Sequence, residues 1–454
     1  MKLAIRGSVL TFVKNPFHFP VEESFVFEED GVVVVEDGKV AFFGPAATGL
    51  SQLEEVDEVH HYRDSLIMPG FIDCHVHYPQ TEIIGAYGTQ LIEWLNKYTF
   101  VTEQKFADKN YAEQTAEIFI RELLAAGTTT ASVFCTVAPE SVDAFFKVSI
   151  KYRMRNIAGK VLMDRHAPDA LLDTAQSGYD QSKELIEKWH GKDRSLYSIT
   201  PRFAPTSTPE QMDMTGALWS EFEGTYLQSH ISENLDEIKW VKELYPECSD
   251  YLAVYEKYGQ VGPRAIYGHG IHLSEDELAR LSESGTALAH CPTSNLFLGS
   301  GLFSAWGASD LKRPVRTGLA TDLGGGTSFS QLTSMNEAYK IAQLNGESLS
   351  AFHAFYLATR GAAEALYLED KIGSIAPGFE ADLVVMDLKA TPLVEHRLSH
   401  AENLHDLLFA LMILAQLKQL RQHILLVNAW LFEGRVTINI LTRATRAFCR
   451  PTRK

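Results

Sequence analysis

Two rhythms of apolar and polar positions organise this chain. Near its start, LAIRGSVLTFV and GVVVVEDGKVAFFG are short β-rich runs separated by turn residues, the pattern of a small antiparallel sheet. The stretch KIGSIAPGFEADLVVMD at 371–387 has the same character, with Pro377-Gly378 as a turn and Leu383, Val384 and Val385 as a strand. Residues 1–66 and 368–435 are therefore expected to form one discontinuous, β-sandwich-like domain. Between them, eight apolar runs alternate with amphipathic helical stretches: LIMPGFIDCHVH, TTTASVFC, IAGKVLMD, YSITPRFA, YLQSHIS, AIYGHGI, ALAHCP and RTGLATD. Repeated βα units of this kind predict an α/β fold, a (β/α)8 TIM barrel over residues 67–367. Such barrels carry their chemistry at the C-terminal ends of the strands.

The polar residues that close these runs fall where that chemistry would sit. His75 and His77 are two apart at a strand end and project from one face, so two imidazoles can reach one metal. SHISEN adds His230 at the next such end, with Glu233 three residues on as a proton carrier. YGHGIHL adds His269, with His272 expected on the loop surface. LATDLGGGTSF adds Asp322 before a glycine run that lets the backbone turn close to a ligand. Singly, each has an ordinary structural reading: a core histidine, a solvated glutamate, a helix-capping aspartate. Together, three imidazoles and a carboxylate suit Zn²⁺ and also Fe²⁺.

Length and charge narrow the picture. The 454 residues suit one barrel plus an accessory domain, and 45% hydrophobic with 22% charged residues supplies a large core and a soluble surface. A formal net charge of -17 argues against nucleic acid or anionic membrane as partners and is compatible with a small neutral substrate. No uninterrupted apolar run reaches the roughly 20 residues that span a bilayer. The N-terminal stretch lacks a signal-peptide pattern. The five cysteines, Cys74, Cys135, Cys248, Cys291 and Cys449, form no CxxC pair and are read as reduced thiols. The expected location is the cytoplasm.

The strings MPGFIDCHVHYPQ, TPRFAPTS, SHISEN, GHGIHLSE, HCPTSNLFLGSG and TDLGGGTSF together resemble the guanine deaminase family of the amidohydrolase superfamily, over residues 1 to 413. The histidines and the aspartate are shared across the superfamily, whereas YPQTEIIGAYG, PRFAPT and NLFLGSG are more specific. The resemblance implies one zinc per subunit, with Fe²⁺ as the alternative, held by His75, His77, His230 and Asp322. It implies Glu233 as proton shuttle, His269 with Asp322 orienting the activated water, and Gln80, Arg202 and Phe203 on the substrate guanine, where His230, Glu233 and Asp322 also reach. It further implies a homodimer. The chemistry of these side chains is consistent with that: an Arg fork donates to the O6 and N7 acceptors of guanine, an amide both donates and accepts, and a phenyl face stacks on a purine. Phe203 reads equally as core, and Arg202 as the partner of a carboxylate.

Other readings are a related deaminase acting on cytosine, an adenosine derivative or a triazine, and a non-catalytic barrel of the same fold. A binuclear site using a carbamylated lysine would call on Lys160, which is read as structural. The zinc deaminase fold with an HxE and PCxxC signature has no counterpart here. Beyond residue 414 the chain departs from the family, and residues 436–454 read as a basic, poorly ordered tail.

Overall fold

The computed structural model describes residues 2–52, 56–88, 90–414 and 423–426. The tail at 436–454 and Cys449 lie outside them. Eight parallel strands form the barrel sheet: β5 (Phe71–His77), β6 (Thr128–Phe134), β7 (Arg155–Gly159), β9 (Ser195–Pro201), β10 (Tyr226–Ile231), β11 (Ala265–His269), β12 (Ala287–His290) and β13 (Thr317–Leu319), paired in that order. A two-residue strand, β8 (Val161–Leu162), extends β7 along β9. The ring is brought nearly to closure between β13 and β5, where the Asp322 amide donates to the His75 carbonyl at 2.9 Å and the Thr321 amide to Asp73 Oδ1 at 3.0 Å. Each barrel strand except β9 and β10 is buried at every position. Helices cover the outside, so neither strand face meets water.

The helices between strands follow their sequence signals. Lys109–Ala125, between β5 and β6, starts at Asp108, whose side chain accepts from the amides of Asn110 and Tyr111. It buries Ala112, Ala116, Phe119, Ile120 and Leu123, one face at helical spacing. Helix Leu235–Leu244, which follows β10, is opened by a capping box of Asn234 and Glu237. This places Glu233 just ahead of a helix start, on a well-fixed backbone.

Both chain ends meet in a six-stranded mixed sheet, ordered β15 (His423–Leu426), β14 (Asp382–Asp387), β4 (Glu58–Pro69), β1 (Lys2–Phe12), β2 (Phe25–Glu36) and β3 (Lys39–Pro45). The run LIMPGFIDCHVH, expected as one strand, is two. Leu66–Pro69 pair with β14 in this sheet, and only Phe71–His77 enter the barrel. The break falls at Gly70, where a Cβ would come within 2.2 Å of Thr129 Oγ1, so the chain can cross there only without a side chain. Among the described residues no helix is long and apolar enough to cross a membrane. Cys74, Cys135, Cys248 and Cys291 are free thiols.

A charged clamp joins sheet and barrel. Arg155 on β7 donates from Nε to Glu380 at 2.8 Å, and Arg194 bridges Glu380 and Asp382, with Nη1 3.0 Å from Asp382 Oδ1. All four side chains are largely buried. Burial tends to raise Glu380, but hydrogen bonding and charge from Arg155 and Arg194 outweigh it and hold its carboxyl below the usual range. Its stabilising contribution is therefore complete above the unfolded carboxyl value of about 4.3 and is lost as pH falls through the lowered folded value. Glu380→Ala leaves two arginines without their shared acceptor and is expected to cost about 3–5 kcal/mol. Thermal unfolding at pH 7 and at pH 4 checks this, with the difference between variant and parent shrinking at the acid end.

Candidate active site

The C-terminal ends of three barrel strands bring four polar groups to one point. His75 and His77 leave β5 on the same face, with Nε2 atoms 3.3 Å apart. His230 ends β10, its Nε2 3.2 Å from that of His77. Asp322 follows β13, with Oδ1 3.4 Å from both His75 Nε2 and His77 Nε2. Ligands about 2.0–2.1 Å from a tetrahedral Zn²⁺ stand roughly 3.3–3.4 Å from one another, which is the spacing of this set. The residues present thus fit a single divalent cation.

The surroundings prepare the donors. Burial, followed by the neighbouring imidazoles and Arg202, pushes His77 well below the ordinary histidine range; burial and its neighbours do the same to His230. His75 is also lowered, mainly by burial. Neutral rings with free lone pairs are the form that binds metal. His230 Nδ1 donates to the Arg202 carbonyl at 2.6 Å, which leaves its Nε2 as acceptor toward the cluster. Burial works against the charge on Asp322, yet hydrogen bonding and charge from His75, with His269 and His230, outweigh it and keep the carboxylate ionised. The Cys291 sulfur also lies within 4.8 Å of donor atoms on His75, His269 and Asp322. Its Sγ faces the Ala289 carbonyl at 3.3 Å and burial holds the thiol protonated, so the nitrogen and oxygen set is the better cage.

Backbone strain accompanies this convergence. Ser232, His269 and Asp322 adopt left-handed φ values of 48°, 72° and 46° at the ends of three strands. Such residues cost about 1–3 kcal/mol each and are retained where the surrounding fold over-determines them. Gly268 makes room for the cluster, since a Cβ there would lie 2.6 Å from His75 Cε1.

Glu233 and His269 stand beside the donors. Glu233 Oε2 is 3.3 Å from His269 Nε2, and its Oε1 accepts from Ser300 Oγ at 3.1 Å. Burial, against the pull of His269 and with a push from Glu237, raises Glu233 to about 7, so it exchanges a proton near neutrality. His269 Nδ1 donates to Asn295 Oδ1 at 2.9 Å. Burial would lower this imidazole, but the carboxylates of Glu233 and Asp322 prevail and leave it raised.

A cavity opens from this cluster. Its polar end is formed by His77, His230, Glu233, His269 and Asp322, its far wall by Gln80, Arg202 and Phe203, and its roof by Leu91, Trp94 and Leu95. All nine expected site residues are brought together; His75 lies behind the wall, against His77. Phe203 both lines the cavity and belongs to an apolar cluster with Trp94 and Leu298. Arg202 pairs with a carboxylate, as one reading held, through Nη1 at 3.0 and 2.8 Å from the two oxygens of Glu103. Lys160 is buried against Asp173 and takes no part in the donor cluster. His272, expected on the loop surface, is half-buried, with Nε2 2.9 Å from the Ser300 carbonyl, because the loop carrying Ser300 folds over it. Sequence reasoning missed Glu103, Asn295, Ser300 and the roof residues. Asn295 and Ser300 lie within the specific string NLFLGSG, which was the available signal; Glu103, at the end of the short helix Phe100–Glu103, gave none.

Residues 66–418 match the amidohydrolase family. The chain is 51% identical over 417 residues to guanine deaminase of Escherichia coli (strain K12), covering 90% of this chain and 93% of that protein. A solved structure of E. coli guanine deaminase aligns with a TM-score of 0.89 and 50% identity, covering 93% of this chain and 98% of that one. A guanine deaminase from C. acetobutylicum with guanine bound in its active site aligns with a TM-score of 0.82 at 29% identity, over 93% and 99% of the two chains. Barrel, donor cluster and matched span agree: the chain belongs to the amidohydrolase family.

Proposed function

We propose that this protein is a guanine deaminase, converting guanine and water to xanthine and ammonia. The observation that carries the reading is the juxtaposition, in one cavity, of a metal-type donor cluster and a buried arginine facing it. The extended likeness to guanine deaminases supports it. His75, His77, His230 and Asp322 would hold one cation per subunit, and their nitrogen and oxygen donors suit zinc first and Fe²⁺ second. A cation there supplies Lewis acidity and brings the pKa of water from about 15.7 towards 7.

The protein's own groups do the rest. His269, together with Asp322, orients the attacking water. Glu233 takes a proton and delivers it to the exocyclic nitrogen at C2, so that ammonia leaves and not amide ion; its pKa of about 7 makes both steps accessible. Arg202 donates to O6 and N7 of the purine, an edge on which adenine offers a donor in place of an acceptor. Gln80 meets the ring's other polar groups and Phe203 stacks on its face. Leu91, Trp94 and Leu95 keep the bound ring out of bulk water. The resemblance extends the proposal to a cytoplasmic homodimer in purine catabolism and salvage.

A spectrophotometric comparison of guanine, adenine and cytosine tests the substrate directly. Guanine is expected to be consumed, with activity lost on chelation and regained with zinc; turnover of another base with guanine inert would overturn the assignment. Glu233→Gln should lower kcat by about 10²–10⁴ while metal content stays at the parent's level. Arg202→Met should reduce kcat/KM for guanine by at least about tenfold, the size of a lost charged hydrogen bond, with metal content again unchanged. An unaltered rate would remove Arg202 from substrate binding.

A further inference from the structure

Glu103 lies outside the cavity wall, yet it touches both polar groups that face the purine edge. Arg202 Nη1 donates to its two oxygens at 3.0 and 2.8 Å, and the Gln80 amide lies close enough to the same carboxylate to favour its charged form. The Glu103 side chain is fully buried and that of Arg202 is 3% exposed. Phe100, one turn earlier on the helix Phe100–Glu103, sets its ring 5.4 Å from the guanidinium. Arginine's five N–H groups lie in one plane. A carboxylate on Nη1 and a ring beside the plane fix both the rotation and the tilt of that fork, leaving its other nitrogens to meet an acceptor in the cavity.

The effect on Gln80 is equally directional. A carboxylate accepts and does not donate, so the amide nitrogen is the end that turns to Glu103, and the carbonyl oxygen is left elsewhere. Gly324 makes room for the carbonyl end of this amide: a Cβ there would sit 2.1 Å from Gln80 Oε1 and 2.4 Å from Gln80 Cβ. One carboxylate thereby decides which donors and acceptors the purine meets. It arrives on the same segment, residues 91–107, that roofs the cavity with Leu91, Trp94 and Leu95 through a π-helical turn at Leu95–Thr99. π-Helical turns are frequent at functional sites.

We propose that Glu103 is the positioning residue that sets purine selectivity, holding Arg202 and Gln80 in the arrangement that reads a 6-oxopurine. The proposal rests on the guanine deaminase reading. In Glu103→Gln, the acceptor for Arg202 becomes neutral and one of its two oxygens becomes a donor, so the fork loses its fixed rotation. The consequence falls on recognition of O6 and N7.

The test is steady-state kinetics with guanine, together with competitive inhibition by hypoxanthine, which keeps O6 and N7, and by 2-aminopurine, which lacks O6. In metal-loaded Glu103→Gln, KM for guanine and Ki for hypoxanthine should rise at least about tenfold, with kcat changed by less than about threefold and the 2-aminopurine Ki, which keeps only the N7 contact, rising clearly less than that of hypoxanthine; a buried charged hydrogen bond has this weight. A merely structural role would weaken both inhibitors alike, and that result, or an unchanged hypoxanthine Ki, overturns the proposal. Should the single variant fail to fold, the pair Glu103→Gln with Arg202→Met removes both buried charges. Added to Arg202→Met, the Glu103 change should then cost less than about threefold in hypoxanthine Ki, since residues acting through one another are not additive; a further tenfold loss overturns the proposal. Wild-type protein inactive on guanine brings down the functional reading itself, whereas active wild type with an indifferent Glu103→Gln brings down only the role of Glu103.

Discussion

Four electron-rich, buried atoms face one another at 3.2–3.4 Å, and this is the constraint on which the structure turns. Lone pairs so arranged repel unless a cation or a proton stands among them, and burial has pushed the three histidines toward the neutral form. The fold must therefore hold the cluster open before metal binds. It does so with stiff parts: strand ends, left-handed residues at His269 and Asp322, a carbonyl fixing His230, and the β13-to-β5 hydrogen bonds that nearly close the barrel at the cluster. Asp73, fully buried and raised to about 7 chiefly by burial, joins those strands through Thr321 and the His75 amide. The stability given up at this rim is recovered in the buried strands and helices beneath it.

The two ends of the cavity divide the chemistry. In the proposed reaction, the donor cluster, Glu233 and His269 at one end handle protons and the attacking oxygen, and Arg202, Gln80 and Phe203 at the other decide which ring is presented. Behind each group stands a second residue that gives it direction: Asn295 behind His269, Ser300 behind Glu233, Glu103 behind Arg202 and Gln80. Catalytic geometry tolerates little error, and side chains held only by their own rotamers would not meet it.

Much of this was legible in the sequence for a definite reason. A (β/α)8 barrel concentrates chemistry at strand ends, so a histidine or aspartate closing an apolar run carries information that the same residue elsewhere does not. His75, His77, His230, His269 and Asp322 all announced themselves in that way. What stayed hidden has equally definite causes. The strand through LIMPGFIDCHVH reads as one because its apolar pattern is continuous, and only the three-dimensional proximity of Thr129 to Gly70 shows where it breaks. Glu103 ends a four-residue helix, Phe100–Glu103, whose local pattern singles out no glutamate, and its importance comes from Arg202, 99 residues away. His272 looked exposed because nothing local signals the Ser300 carbonyl that holds it.

At the centre of the account, side chains from two separate strands and one loop share a single cation. Anomalous X-ray diffraction from crystals of zinc-loaded protein, recorded on either side of the zinc absorption edge, tests it most directly. One peak per subunit is expected, about 2.0–2.2 Å from the Nε2 atoms of His75, His77 and His230 and from a carboxylate oxygen of Asp322. A peak elsewhere, or none where these four converge, would contradict it.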